Sequence, residues 1–207
     1  MKRAFVVGDS ISLQYGPYLQ KALQGKLHYA RKAGTEEALK NLDIPTGANG
    51  GDSVRVVEYL QALINHTGLE ADYLMVNCGL HDIKRDPETL TYQVELKDYE
   101  QNLHAIITLS KTLKTQLVWI RTTPCDEKVH NTPGKEFFRF SSDVHAYNQT
   151  ADTVMQEAGI PIIDLYTFTQ NLGPELYCDH VHFLDTVRQQ QAAFLAGWLE
   201  GYISSRG

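Results

Sequence analysis

A chain of 207 residues with 43% hydrophobic content is long enough for one domain with a sizeable core and short for two, so residues 1–207 are read as a single domain. Its 25 acidic against 19 basic residues give a formal net charge of −6, and without a Lys/Arg cluster this argues against nucleic acid as the main partner. No run approaches the roughly 18 apolar residues of a membrane span, so integral membrane association is not expected.

Cys78, Cys125 and Cys178 are odd in number and lack CxxC spacing, which suggests neither a disulfide framework nor a zinc ribbon. They read as reduced thiols and favour the cytoplasm. Lys2-Arg3 is followed by only Ala4-Phe5-Val6-Val7 before Gly8-Asp9 ends the apolar run, so no secretory signal is visible, although one could have been removed.

Phe5-Val6-Val7 is a short run of β-formers that ends abruptly in Gly8-Asp9-Ser10, the pattern of a buried strand delivering a hydroxyl to the edge of a sheet. A helix is expected from Pro17 to Leu23, with Pro17 in its first turn, and a second strand over Leu27 to Arg31. Residues 32 to 51 read as an irregular connection bearing part of a site, with a short helix at Glu36 to Leu42. Asp52 or Ser53 caps the next helix, which should end near His66-Thr67-Gly68, and Asp72 to Cys78 is a strand leading into Gly79-Leu80-His81-Asp82.

An amphipathic helix follows from about Val94 to Leu113, then a fourth strand at Leu117-Val118-Trp119-Ile120. Residues 123 to 140 show no clear periodicity; such a segment is either a flap over substrate or a variable surface excursion. Ser141 or Ser142 is expected to cap a helix ending at Ala158-Gly159, and Ile160 to Asp164 forms the fifth strand. A short helix near 165 to 172, the loop from Asp179 to Phe183, and a closing helix from about 185 to 203 complete the chain.

Strands alternating with helices, and no hairpin dipeptide between adjacent strands, imply an α/β fold with a five-stranded parallel sheet covered on both faces. Ligand sites in such folds gather beyond the carboxyl ends of the strands. Ser10, the Gly79 to Asp82 segment and the Asp179-His180-Val181-His182 segment all fall on that edge. A serine hydroxyl needs a base to take its proton as it attacks. His182 suits that task, with Asp179 holding its far nitrogen. An ester carbonyl under attack also needs preplaced N–H donors, for which the Ser10 amide and Gly51 are candidates. The plainer reading is that Gly-Asp-Ser is a turn and the histidines lie on the surface.

The chain resembles the SGNH/GDSL hydrolase family over essentially its whole length. Gly8-Asp9-Ser10-Ile11-Ser12 matches the nucleophile block, Gly51-Asp52-Ser53 the glycine block, and Asp179-His180-Val181-His182 the final Asp-x-x-His block. The resemblance implies a flavodoxin-like three-layer αβα sandwich and serine esterase activity without a metal or other cofactor. Where the family has Gly-x-Asn-Asp, this chain has Gly79-Leu80-His81-Asp82. His81 therefore stands in the place of the oxyanion asparagine, where an imidazole N–H could donate, and Asn77 is an alternative donor.

Cys178, Asp179, His180 and His182 are all zinc-ligating types, but their crowding makes tetrahedral ligation awkward, and no metal is expected. His180 is read as exposed, and Trp119, Tyr147 and Trp198 as core aromatics. Arg139 with Phe137-Phe138 could line a substrate groove, surface packing being the simpler account. The expected partner is a small-molecule or carbohydrate ester with a short acyl group such as acetyl. Longer acyl chains or a binding-only protein on the same scaffold are the alternatives, and oligomeric state is left open.

Overall fold

The computed structural model describes residues 1–206. Its centre is a five-stranded parallel sheet in the order β2-β1-β3-β4-β5, formed by Arg3–Val7 (β1), His28–Arg31 (β2), Tyr73–Val76 (β3), Gln116–Ile120 (β4) and Ile162–Ile163 (β5). Parallel strands covered on both faces need apolar side chains at successive positions. Accordingly every residue of β3 is buried, as are Leu117 to Ile120 of β4. The polar β2 is an edge strand, its His28 exposed.

Eight α-helices follow in chain order, of which α1 (Ser10–Ala22), α3 (Ser53–Ala62), α4 (Leu96–Thr112), α6 (Ser141–Glu157) and α8 (Asp185–Ser204) are long; α2 (Thr35–Ala38), α5 (Glu127–His130) and α7 (Leu165–Gln170) are short. The chain moves one way from β1 to β2 and the other way to reach β3. Right-handed crossovers therefore put α1 on one face and α3, α4 and α6 on the other. The packing agrees, since α1 lies against α8, and α4 against both α3 and α6. The reversal between β1 and β3 opens a crevice at their carboxyl ends, where Ser10 and Gly79 follow directly.

The expected elements are present, with local differences. Helix α1 begins at Ser10 instead of Pro17, because the Asp9 carboxylate accepts the Ile11 N–H at 3.0 Å and caps it there. Pro17 thus sits inside the helix, where a proline costs about 3 kcal/mol. Burial of Ile11, Tyr15 and Leu19 offsets that, at roughly 1.5–3 kcal/mol for each large apolar side chain. Neither Ser141 nor Ser142 caps α6 with its side chain; the Glu127 carboxylate does so from outside, accepting the Ser141 N–H at 2.6 Å. The helix expected at Glu36 to Leu42 is the shorter α2, and α3 runs on through a wider turn at Leu63–Thr67.

Trp119 and Tyr147 are buried in the core, and Trp198 is partly buried, stacked on Tyr202 with ring centroids 5.0 Å apart. Among the described residues no helix is long and apolar enough to cross a membrane.

Candidate active site

Strand β1 ends in Gly8-Asp9-Ser10, and because Asp9 caps α1, Ser10 is held at the first helical position. Its side chain is nearly enclosed. Its backbone N–H has no partner among the described residues and points from a helix amino terminus, which favours developing negative charge. Burial pushes the Asp9 carboxyl above its ordinary pKa, the Ile11 amide and the charge of Arg139 pulling the other way.

The partner segment is equally fixed. An antiparallel bridge between Tyr177 and Phe183, with their rings stacked at 5.0 Å, closes the loop from Cys178 to His182. Cys178 N–H also donates to the His182 carbonyl at 2.9 Å. Within this loop Asp179 Oδ1 accepts the N–H groups of Val181 at 2.9 Å and His182 at 2.7 Å. Asp179 Oδ2 lies 2.7 Å from His182 Nδ1, and His182 Nε2 lies 2.9 Å from Ser10 Oγ, across 172 positions of sequence. A carboxylate on Nδ1 requires the proton there, which leaves Nε2 as the acceptor for the serine hydroxyl. Burial pushes Asp179 up, but the two amides and the imidazole outweigh it and hold the carboxyl below its ordinary pKa.

The other expected residues divide. His81 is buried, and its ring has no hydrogen-bond partner among the described residues. Burial, then the charges of Lys84 and Arg139, depress its pKa well below the ordinary value, so the ring is neutral and offers one N–H. Gly51 has φ +70°, and an added Cβ would meet Arg55 Cδ at 2.7 Å and Pro45 Cβ at 2.8 Å, so only glycine fits the turn. Its N–H, however, donates to Asn49 Oδ1 at 3.0 Å within its own loop. The reading of Asn77 as an oxyanion donor does not fit. Its side-chain amide donates to the Ile120 carbonyl at 2.9 Å and to Thr122 Oγ1 at 3.4 Å, locking the ends of β3 and β4 together.

Two expectations are corrected by burial, and His130, Asp43 and Lys84 are groups that sequence reasoning passed over. Arg139 is not a surface residue but 2% exposed, and its Nε donates to the Leu80 carbonyl at 2.6 Å. His180 is half-buried, its ring stacked on His130 at 4.4 Å and 6.1 Å from that of His182. His130 and His180, with Asp43, Lys84 and Phe137, line a cavity of about 740 Å³ that adjoins the Ser10–His182 pair without being lined by it. Burial and then Arg139 lower Lys84 to about 8 and His130 to about 3, so this wall holds a weakened cation and a neutral imidazole. His180 is the second residue of the Asp179-His180-Val181-His182 block, whereas Asp43, Lys84, His130 and Arg139 belong to no short motif. Among the described residues no three His, Cys, Asp or Glu side chains are grouped to hold a metal ion.

A serine, an imidazole and a carboxylate linked in this way at the strand ends of an α/β domain form the arrangement used by serine hydrolases. The chain belongs to the GDSL-like lipase/acylhydrolase family, whose sequence profile matches residues 6–187. Among curated proteins no sequence is a significant match.

Solved structures share the fold at low identity. The lipase/acylhydrolase of Enterococcus faecalis superposes with TM-score 0.70 at 15% identity, over 98% of this chain and 97% of that one. An acetyl xylan esterase, AlAXEase, gives 0.68 at 13%, over 95% and 99%. The psychrotrophic esterase EstA of a Pseudoalteromonas species gives 0.66 at 11%, over 99% and 100%.

Proposed function

We propose that this protein is a serine ester hydrolase that works through an acyl-serine intermediate. Ser10 Oγ attacks the ester carbonyl while His182 Nε2 takes its proton, and Asp179 stabilises the imidazolium that forms. The C–O bond to the alcohol then breaks, and the alcohol leaves with the proton that His182 returns. Water, deprotonated by the same nitrogen, releases the acid and restores Ser10. The Ser10 N–H and the neutral His81 ring serve the oxyanion, and Gly51 joins them once its amide leaves Asn49. The carrying observation is the 2.9 Å separation of Ser10 Oγ and His182 Nε2.

The acyl group is short, such as acetyl, and the alcohol a small molecule or carbohydrate. Support comes from the polar cavity wall, with Asp43, Lys84, Lys135 and Glu136, and from the acetyl xylan esterase among the structural neighbours. The net charge of −6 accords with an uncharged or small partner and not with nucleic acid. Three unpaired cysteines accord with a reducing, cytoplasmic setting.

A fluorophosphonate probe is expected to label the protein and to spare Ser10→Ala, with turnover of p-nitrophenyl acetate lost in parallel. The Pseudoalteromonas esterase, inhibited by monoethylphosphonate, makes a phosphonate a reasonable choice. No labelling and no turnover by the unaltered protein would leave a ligand-binding protein on this scaffold instead.

A further inference from the structure

In the proposed mechanism the His81 ring serves the oxyanion, and among the described residues nothing bonds the buried ring itself. A neutral imidazole donates through one N–H, so its usefulness depends on where the backbone puts it. The Leu80 carbonyl belongs to the same peptide unit as the His81 nitrogen, and this carbonyl accepts from Arg139 Nε at 2.6 Å. A charge-assisted hydrogen bond of that length is among the stronger restraints on a loop.

Arg139 is itself clamped. Asn131 Nδ2 donates to the Arg139 carbonyl at 2.7 Å, and Arg139 N–H donates to Asn131 Oδ1 at 2.9 Å. The neighbouring residue Phe138 exchanges both backbone hydrogen bonds with Arg85, each 2.9 Å. Phe137 contacts two cations, Lys84 Nζ being 4.1 Å and the Arg139 guanidinium carbon 4.8 Å from its ring centre. Three successive residues of the aperiodic 123–140 segment thus grip the chain between Leu80 and Arg85.

A buried guanidinium without a carboxylate is costly, and Arg139 forms no ion pair among the described residues. Its Nη1 is sealed from water without a hydrogen-bond partner, so a dissolved anion does not reach that atom. The hydrogen bond its guanidinium does make is to the Leu80–His81 peptide.

We propose that Arg139 is a positioning residue: by holding the Leu80 carbonyl it sets the Leu80–His81 peptide, and with it the His81 ring, on the oxyanion side of Ser10. The inference rests on the ester hydrolase reading above. The charge has a second effect in the same direction, since it helps keep the ring unprotonated.

The test is a double-mutant cycle on p-nitrophenyl acetate turnover. Arg139→Met and His81→Ala are each expected to lower kcat by about 10- to 100-fold with KM moved less than about threefold, and the double variant to be no worse than the poorer single. Effects that multiply, or either single variant within about threefold of the parent, would overturn the proposal. Should Arg139→Met not fold, Arg139→Lys, which keeps the charge and loses the Nε donor, is read in the same cycle.

A second readout needs no turnover. In a Ser10→Ala background the ¹⁵N ring resonances of His81 should change with Arg139→Met or Arg139→Lys, and unchanged resonances would count against positioning. Full turnover by Ser10→Ala would instead remove the hydrolase reading, which keeps the two failures apart.

Discussion

Asp82 Oδ1 accepts the N–H of Ser53 at 2.8 Å, so the loop after β3 is bonded to the first residue of α3, beside Gly51 and Asp52. Both residues are fully buried, and Asn102 Nδ2 completes the junction by donating to Ser53 Oγ at 2.9 Å. Two segments that border Ser10 are therefore one mechanical unit. Burial, outweighing the Ser53 hydrogen bonds, pushes the Asp82 carboxyl from 3.8 up to about 7.

That shift has a consequence for stability. Between about pH 4 and 7 the folded chain keeps a proton on Asp82 that the unfolded chain has released, so this group makes stability fall as pH rises through that window. Asp82→Asn cannot ionise and keeps an oxygen for Ser53. Urea denaturation at pH 5 and pH 8 should show the parent losing at least about 1 kcal/mol more than the variant over that interval. Equal losses would mean that Asp82 titrates normally.

Asp179→Asn is expected to lower kcat on a p-nitrophenyl ester by about 10⁴-fold while leaving the fold intact, because an amide on Nδ1 no longer selects the tautomer that leaves Nε2 free for Ser10. Steady-state kinetics with a thermal melt as control would check it, and a loss below about tenfold would remove Asp179 from the catalytic unit.

His81→Ala should reduce turnover by about 10²-fold if the ring donates to the oxyanion. A change below about threefold would assign that work to backbone amides alone, with the Ser10 N–H foremost.

Asn77→Ala separates a structural amide from a catalytic one. Losing the bond to the Ile120 carbonyl inside the sheet should cost about 1–3 kcal/mol in urea denaturation, with turnover of the folded fraction within about threefold of the parent. A stable variant with turnover reduced about 100-fold would restore Asn77 to the oxyanion side.

The parts legible in the sequence are those set over short distances. Alternating strands and helices without hairpin signals lead to the parallel sheet, and Asp-x-x-His spacing singles out Asp179 and His182 because one turn of chain suffices to join them. Gly8-Asp9-Ser10 marks the turn, although the same Asp9 also moves the start of α1 ahead of Pro17, which the proline preference alone misplaces. Arg139 illustrates what is not legible. Its segment has no period, and the carbonyl it bonds lies 59 residues away. The facing of Asn77 is likewise decided by β4, and the cap of α6 by Glu127, neither of which local pattern reveals.

The Tyr177–Phe183 bridge encloses both Asp179 and His182 and excludes Ser10, which is carried by the opposite end of the chain. If that hairpin swings outward, the acid and the imidazole travel together, and within the catalytic trio only the 2.9 Å link to the hydroxyl is severed. Outside the trio the same movement would also break the Asp126 N–H bond to the His180 carbonyl at 3.1 Å and the His130–His180 stack, so the proton acceptor stays assembled on an arm moored beyond the hydroxyl.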